Sequence, residues 1–228
     1  MVPETGNGNQ EGSMKNSGRV SQVAFVTCHK NYKSSTNFMS NEEVKLVVCG
    51  DGAVGKTCLL TRYTRNSFPD SYVPTVFENQ IVSIVIDEKP IQVEAVDTAG
   101  QEGYDGVRAM SYPGTDIFLV CFSADSADSM HNVEEKWIPE LLREMGKGHE
   151  EGWKILLCCN KSDLIGTDHA PDYDRGEADA MAKRIGAVNN QVFECSALAD
   201  EGVGELFEAG IRAALEGGGA SGGCCVLQ

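Results

Sequence analysis

Between residues 42 and 216, short apolar runs alternate with longer stretches whose apolar positions recur at helical spacing. The runs Val44–Cys49, Gln80–Ile86, Ile91–Val96, Asp116–Phe122, Lys154–Cys159 and Val192–Cys195 predict β-strands. The stretches Lys56–Tyr63, Ser129–Arg143, Arg175–Ile185 and Val203–Leu215 predict helices. Alternation of the two predicts an α/β fold, a six-stranded and mostly parallel sheet flanked by helices. Only Asp87-Glu-Lys-Pro90 separates the second strand from the third. That link is too short for a parallel crossover, so these two strands should form an antiparallel hairpin.

The flanks read differently. Residues 1–41 are rich in Asn, Ser, Gly and Thr and predict a disordered N-terminal extension ahead of a domain spanning 42–216. Residues 217–228 are a tail whose glycine-rich, flexible part leads to Cys224 and Cys225. With 41% hydrophobic residues the chain can build a sizeable core. A formal net charge of −15 argues against a nucleic-acid partner, and any attraction to anionic lipid must be local. Nine cysteines are present and none are spaced as CxxC; several sit inside apolar runs, which predicts reduced, buried thiols. No apolar run reaches the roughly 20 residues of a membrane-spanning helix. Met1-Val-Pro-Glu4 lacks the form of a signal peptide, and Val2 stands where N-myristoylation needs glycine.

The first strand runs into Gly50-Asp51-Gly52-Ala53-Val54-Gly55-Lys56-Thr57, which fits G-x-x-x-x-G-K-[ST] in full. Glycines let the backbone wrap phosphate oxygens with its N–H groups pointing inward, and the next helix begins there. Lys56 should reach the β- and γ-phosphates, and the Thr57 hydroxyl should ligate Mg²⁺. This loop alone does not separate GTP from ATP. Asn160-Lys161-Ser162-Asp163 follows the strand Lys154–Cys159, at the edge where such sheets bind ligands. A carboxylate there, Asp163, accepts from the ring N–H and exocyclic amine of guanine, donors that adenine lacks. Asn160 can tie the loop to the base, and the Lys161 stem can lie along its plane.

Asp97-Thr98-Ala99-Gly100-Gln101 follows another strand. Asp97 is placed for the Mg²⁺ shell, directly or through water. The Gly100 N–H can approach a γ-phosphate without steric penalty. Gln101 can orient the attacking water, so Gln101 and Lys56 are the catalytic candidates.

In order, Gly50–Thr57, Thr75, Asp97–Gln101, Asn160–Asp163 and Glu194-Cys-Ser-Ala197 resemble the Ras-like small GTPases, a P-loop NTPase fold. Phe68-Pro-x-x-Tyr72-Val-Pro-Thr-Val-Phe-Glu-Asn79 and Glu135-Lys-Trp137 resemble the Rho family in particular. The resemblance implies a Ras-like G domain that binds GTP and GDP with Mg²⁺ and slowly hydrolyses GTP, switching signals to effectors of cytoskeleton and polarity. It implies that Phe68 packs on the guanine edge and that Tyr72 and Thr75 lie in the first switch. Thr75 would join Thr57 and Asp97 as a Mg²⁺ residue, and the Ala197 N–H would meet the guanine oxygen. Cys58 and Ser196 belong to the same implied nucleotide-contacting set. Effectors would meet Tyr72–Asn79 and the loop after Asp97; an exchange factor and an activating protein are further implied partners of a monomer. The chain departs from the family pattern at Gln80, Val96 and Leu198, where Tyr, Trp and Lys are usual.

The stretch between the first helix and Thr75 offers only Arg65, too early for an internal arginine finger. Intrinsic turnover should be slow, and a trans arginine from an activating protein should raise it by roughly 10³–10⁵. The alternative is a scaffold of the same fold that holds GTP with little hydrolysis. Cys225-Val-Leu-Gln228 forms a C-a-a-X box, and its final Gln favours farnesyl at Cys225. One lipid anchors reversibly, so a second signal is expected. The neighbouring Cys224 is a palmitoylation candidate or a spacer. The expected location is the cytoplasmic face of the plasma membrane or an endomembrane, with a cytosolic pool.

Overall fold

The computed structural model describes residues 42–69, 75, 77–146, 152–170 and 172–217. The expected extension 1–41, Tyr72, Val76, Cys224 and Cys225 lie outside the described residues. The strands are β1 (Glu42–Gly50), β2 (Phe77–Ile86), β3 (Lys89–Thr98), β4 (Ile117–Ser123), β5 (Lys154–Asn160) and β6 (Val192–Glu194). The helices are α1 (Lys56–Arg65), α2 (Asp105–Ala109), α3 (Ala127–Asn132), α4 (Ile138–Met145), α5 (Arg175–Ile185) and α6 (Val203–Gly217).

One sheet holds the strands in the order β2-β3-β1-β4-β5-β6. Neighbours run parallel except β2 and β3, the antiparallel pair the short link requires. Asp87 and Glu88 alone make the turn, with φ of 50° and 65°. Two positive φ values give the twist of a type I′ hairpin. Both strands run beyond their apolar stretches: Phe77-Glu-Asn79 pairs with Val96-Asp-Thr98. These added residues of β2 are exposed on an edge strand, so no alternation marks them.

The central strands are buried on both faces. Val44, Leu46 and Val48 of β1 join one cluster with Leu59 and Leu60 of α1 and Leu206 and Phe207 of α6. Val47 and Cys49 join the other with Trp137, Leu141 and Met181. From β1 the strand order moves to β3 on one side and to β4 on the other. The carboxyl end of β1 therefore lies where such sheets bind ligands, and the phosphate loop begins there. The six described cysteines are free thiols. Cys49, Cys121, Cys158, Cys159 and Cys195 are buried, and burial pushes the Cys159 thiol up to about 12.

The stretch 129–143 is not one regular helix. α3 starts earlier, with the Ser126 side chain accepting from the Ser129 N–H. A π-helical turn, Val133–Trp137, then separates α3 from α4. Pro139, in the first turn of α4, lacks an N–H and would clash with the carbonyl four residues back in an unbroken α-helix. The wider turn accommodates it, closed by the Ile138 N–H on the Val133 carbonyl. α2 carries no apolar periodicity and was not legible. α5 has the bounds its pattern predicts, between an Asp174 cap and a left-handed Gly186.

Candidate functional site

Two of the glycines around the phosphate loop are there for space. Gly50 has φ 137°, and a Cβ on it would fall 2.1 Å from the Cys121 carbonyl oxygen of β4. Gly55 has φ 94°, and a Cβ there would fall 2.3 Å from Asn160 Nδ2. Between them the loop curls around Lys56. Its Nζ donates to the Gly50 carbonyl at 2.8 Å and the Asp51 carbonyl at 2.7 Å. Burial pulls the Lys56 ammonium below the ordinary lysine range, which an anionic ligand beside it would reverse.

Beside the loop three oxygens converge. Thr57 Oγ1 donates to Asp97 Oδ2 at 2.6 Å and lies 2.6 Å from Thr75 Oγ1. Thr75 Oγ1 also donates to Asp97 Oδ2, at 3.2 Å. Asp97 is 1% exposed, and its Oδ1 has no hydrogen-bond partner among the described residues. Burial pushes its carboxyl up, against the Thr57 hydrogen bond and the Lys56 charge. Two hydroxyls and a carboxylate are hard oxygen donors, and an unmet buried oxygen invites a cation. The set fits Mg²⁺, which binds through few protein ligands and keeps waters and phosphate oxygens for the rest. Gly100 closes the other wall. A Cβ on it would lie 2.5 Å from the Gly50 carbonyl oxygen and 2.6 Å from the Gly52 nitrogen. The next residue, Gln101, is exposed and extended.

The base-reading residues form the far end. Asn160 Nδ2 donates to the Val54 carbonyl at 2.9 Å and the Gly55 carbonyl at 3.3 Å, and its Oδ1 accepts from the Ala197 N–H. Asp163 Oδ1 accepts from Ser196 Oγ at 2.6 Å, which orients the carboxylate. Lys161 takes a left-handed φ of 59°, a strained position for a lysine, and ion-pairs with Asp125 at 2.9 Å. Against its partial burial, Lys161 holds the Asp125 carboxyl below the usual range.

Two adjoining clefts join these groups. One, of ≈ 190 Å³, is lined by Gly52, Lys56, Thr57, Thr75, Gly100 and Gln101 among others. The second, of ≈ 240 Å³, is lined by Phe68, Asn160, Lys161, Asp163, Ala197 and Leu198 among others. Gly55, Cys58 and Lys161 line both. The arrangement offers a polar slot for a polyphosphate and an apolar one for a flat base. Every described site residue named from the sequence lies on this slot or bonds to a residue that does. Three partners carried no local signal: Asp125; Arg62, whose Nε donates to the Ala197 carbonyl at 2.9 Å; and Trp137, which donates to Asp51.

A family model described as the Ras family matches residues 45–216. Among curated proteins, the Rho-related GTP-binding protein RhoB of Homo sapiens is 46% identical over 181 residues, covering 75% of this chain and 89% of RhoB. RhoB of Mus musculus and of Rattus norvegicus match to the same extent.

Proposed function

The chain belongs to the Ras family, as a Rho-type small GTPase that hydrolyses GTP, and from that premise we propose which residues carry each part of the activity. The observation that carries the assignment is the single slot with Lys56, Thr57 and Asp97 at one end and Asn160, Asp163 and Ala197 at the other. The amides of residues 50–57 cradle the β- and γ-phosphates. Lys56 exchanges its two carbonyl partners for phosphate oxygens. Thr57, Thr75 and Asp97 would hold the Mg²⁺, which when bound supplies neutralisation of charge on the phosphate oxygens. The Gly100 N–H meets the γ-phosphate, and Gln101 orients the attacking water. Phe68, Leu198 and the Lys161 stem enclose the base, and Asp163 accepts from its N–H groups. Cys58 and Ser196 complete the contact set.

Rho-type GTPases work with exchange factors, activating proteins and effectors. We assign effector contact to Tyr72–Asn79 and the loop after Asp97. Residues 42–216 are the G domain, flanked by the 1–41 extension and the 217–228 tail. Membrane attachment is proposed through a prenyl group on Cys225, with Cys224 as the palmitoylation candidate. No helix among the described residues is long and apolar enough to cross a membrane. The assignment is tested with purified full-length protein, GTP and ATP side by side, with and without Mg²⁺. Mg²⁺-dependent release of phosphate from GTP alone is expected, lost on Lys56→Ala; equal use of ATP, or indifference to Asp163→Ala, overturns it.

A further inference from the structure

The Glu135-Lys-Trp137 segment has no part in the slot, yet it reaches the phosphate loop. Trp137 Nε1 donates to Asp51 Oδ1 at 2.8 Å, and Asn132 Nδ2 donates to Asp51 Oδ2 at 2.6 Å. Each carboxylate oxygen of Asp51 thus has its own donor, 86 and 81 residues away in the chain. The Asp51 side chain does not line the phosphate cleft, although Gly52 beside it does. We propose that Trp137 and Asn132 are positioning residues that keep the Asp51 carboxylate turned away from the bound triphosphate, and so set how tightly GTP is held. The inference rests on the slot being the guanine-nucleotide site.

The chemistry requires such a device. A loop that wraps phosphates gains nothing from a carboxylate, because like charges a few ångströms apart repel strongly where water is scarce. The Asp51 peptide lies at the γ end: Lys56 Nζ donates to its carbonyl, and a Cβ on Gly100 would fall 2.5 Å from its carbonyl carbon. If its side chain swung inward it would meet the γ-phosphate first. Its two donors come from one helical segment. In an α-helix, positions five apart point about 140° away from each other. In the π turn Val133–Trp137, with its hydrogen bond from residue 138 to 133, they come round to one side. The turn aims Asn132 and Trp137 at the same carboxylate.

The same indole reaches the other wall of the cleft. Arg108 lies over the Trp137 ring at 4.7 Å, and its Nη1 donates to the Ala99 carbonyl at 2.8 Å, two residues before Gln101. Trp137 is fully buried, so it offers a fixed support to both loops.

The test is release of fluorescent GTP and GDP analogues from full-length protein in Mg²⁺. Trp137→Phe and Asn132→Ala should each speed GTP release by roughly 10-fold, the scale of a hydrogen bond to a charged group, and GDP release by less. Adding Asp51→Asn removes the charge, so the double variants should release GTP no faster than Asp51→Asn alone. A purely structural role for Trp137 would not be rescued in this way. Effects that multiply in the double variants, or equal acceleration of GTP and GDP, would overturn the proposal. If Trp137→Phe fails to fold, the Asn132→Ala and Asp51→Asn pair completes the same cycle. Wild-type protein without guanine preference would sink the slot assignment itself, a separate outcome.

Discussion

Asn160 Nδ2 donates to the Val54 carbonyl at 2.9 Å, so the loop that reads the base holds the loop that wraps the phosphates. Asn160 Oδ1 meanwhile accepts from the Ala197 N–H, which brings the third loop into the same joint. Asn160 is 2% exposed, so these bonds are shielded from solvent. Asn160→Ala should therefore leave buried backbone groups unmet and loosen both ends of the slot. A loss of about 1–3 kcal/mol in nucleotide affinity is expected, read as faster dissociation of a labelled GDP. An unchanged rate would show that the loops are held in place without it.

Three glycines of one loop should respond differently to the same change. Gly50→Ala and Gly55→Ala each combine a positive φ with a close approach, to Cys121 and Asn160 respectively. Backbone strain alone costs on the order of 1–3 kcal/mol, so both variants should melt well below wild type. Gly52 has nothing within 4 Å of its Cβ position and lines the cleft. Gly52→Ala should keep wild-type stability within about 0.5 kcal/mol and slow GTP hydrolysis instead. Thermal melts and single-turnover assays separate the two behaviours.

What could be read from the sequence follows from where each signal is written. Gly50–Thr57 and Asn160–Asp163 are contiguous, and their chemistry needs neighbours only within a few residues. Thr75 has no such signature; only the family resemblance pointed to it, and its 2.6 Å approach to Thr57 is made by the fold. Asp51 was legible as loop backbone, but its side-chain donors are 81 and 86 residues distant. Arg62 on Ala197, 135 residues apart, and Lys161 on Asp125, 36 apart, were hidden for the same reason. The apolar period over 129–143 predicts one helix because it carries no account of Pro139, whose missing N–H goes with the π turn before it. Of the unusual positions, Gln80 Oε1 accepts from Thr64 Oγ1, Val96 is buried in β3, and Leu198 is exposed at the base cleft.

Gln101 is exposed and holds nothing in place by its side chain among the described hydrogen bonds. Gln101→Leu should leave the melting temperature unchanged and nucleotide affinity nearly so. Loss of water orientation should slow single-turnover GTP hydrolysis on the order of 10- to 100-fold. A wild-type rate in this variant would remove Gln101 from the reaction.

Outside the slot, a costly single change should be at Glu140. Arg108 Nε and Nη2 donate to its two oxygens at 2.8 and 2.7 Å, and Tyr112 OH donates to Oε1 at 2.5 Å. Arg108 and Glu140 are 1% and 5% exposed. Glu140→Gln leaves the buried guanidinium with only the half-exposed Asp105 carboxylate, 2.7 Å from Nη2, as counter-charge, which costs up to about 3–5 kcal/mol. Burial by itself would raise the Glu140 carboxyl; the Arg108 and Tyr112 hydrogen bonds and the Arg108 charge outweigh it and bring it below the usual range. A carboxyl lowered on folding stabilises the native state above its ordinary value of 4.5, and that stability is lost as pH falls further, toward the lowered value. The gap in melting temperature between wild type and Glu140→Gln should accordingly be full near neutrality and narrow below about pH 4.5. Comparing the two proteins cancels the carboxylates they share. Because Arg108 also holds the Ala99 carbonyl, Glu140→Gln should slow hydrolysis as well, through the loop that carries Gln101. A gap that stays constant down to acid pH would mean that the Glu140 charge contributes nothing and only its shape matters.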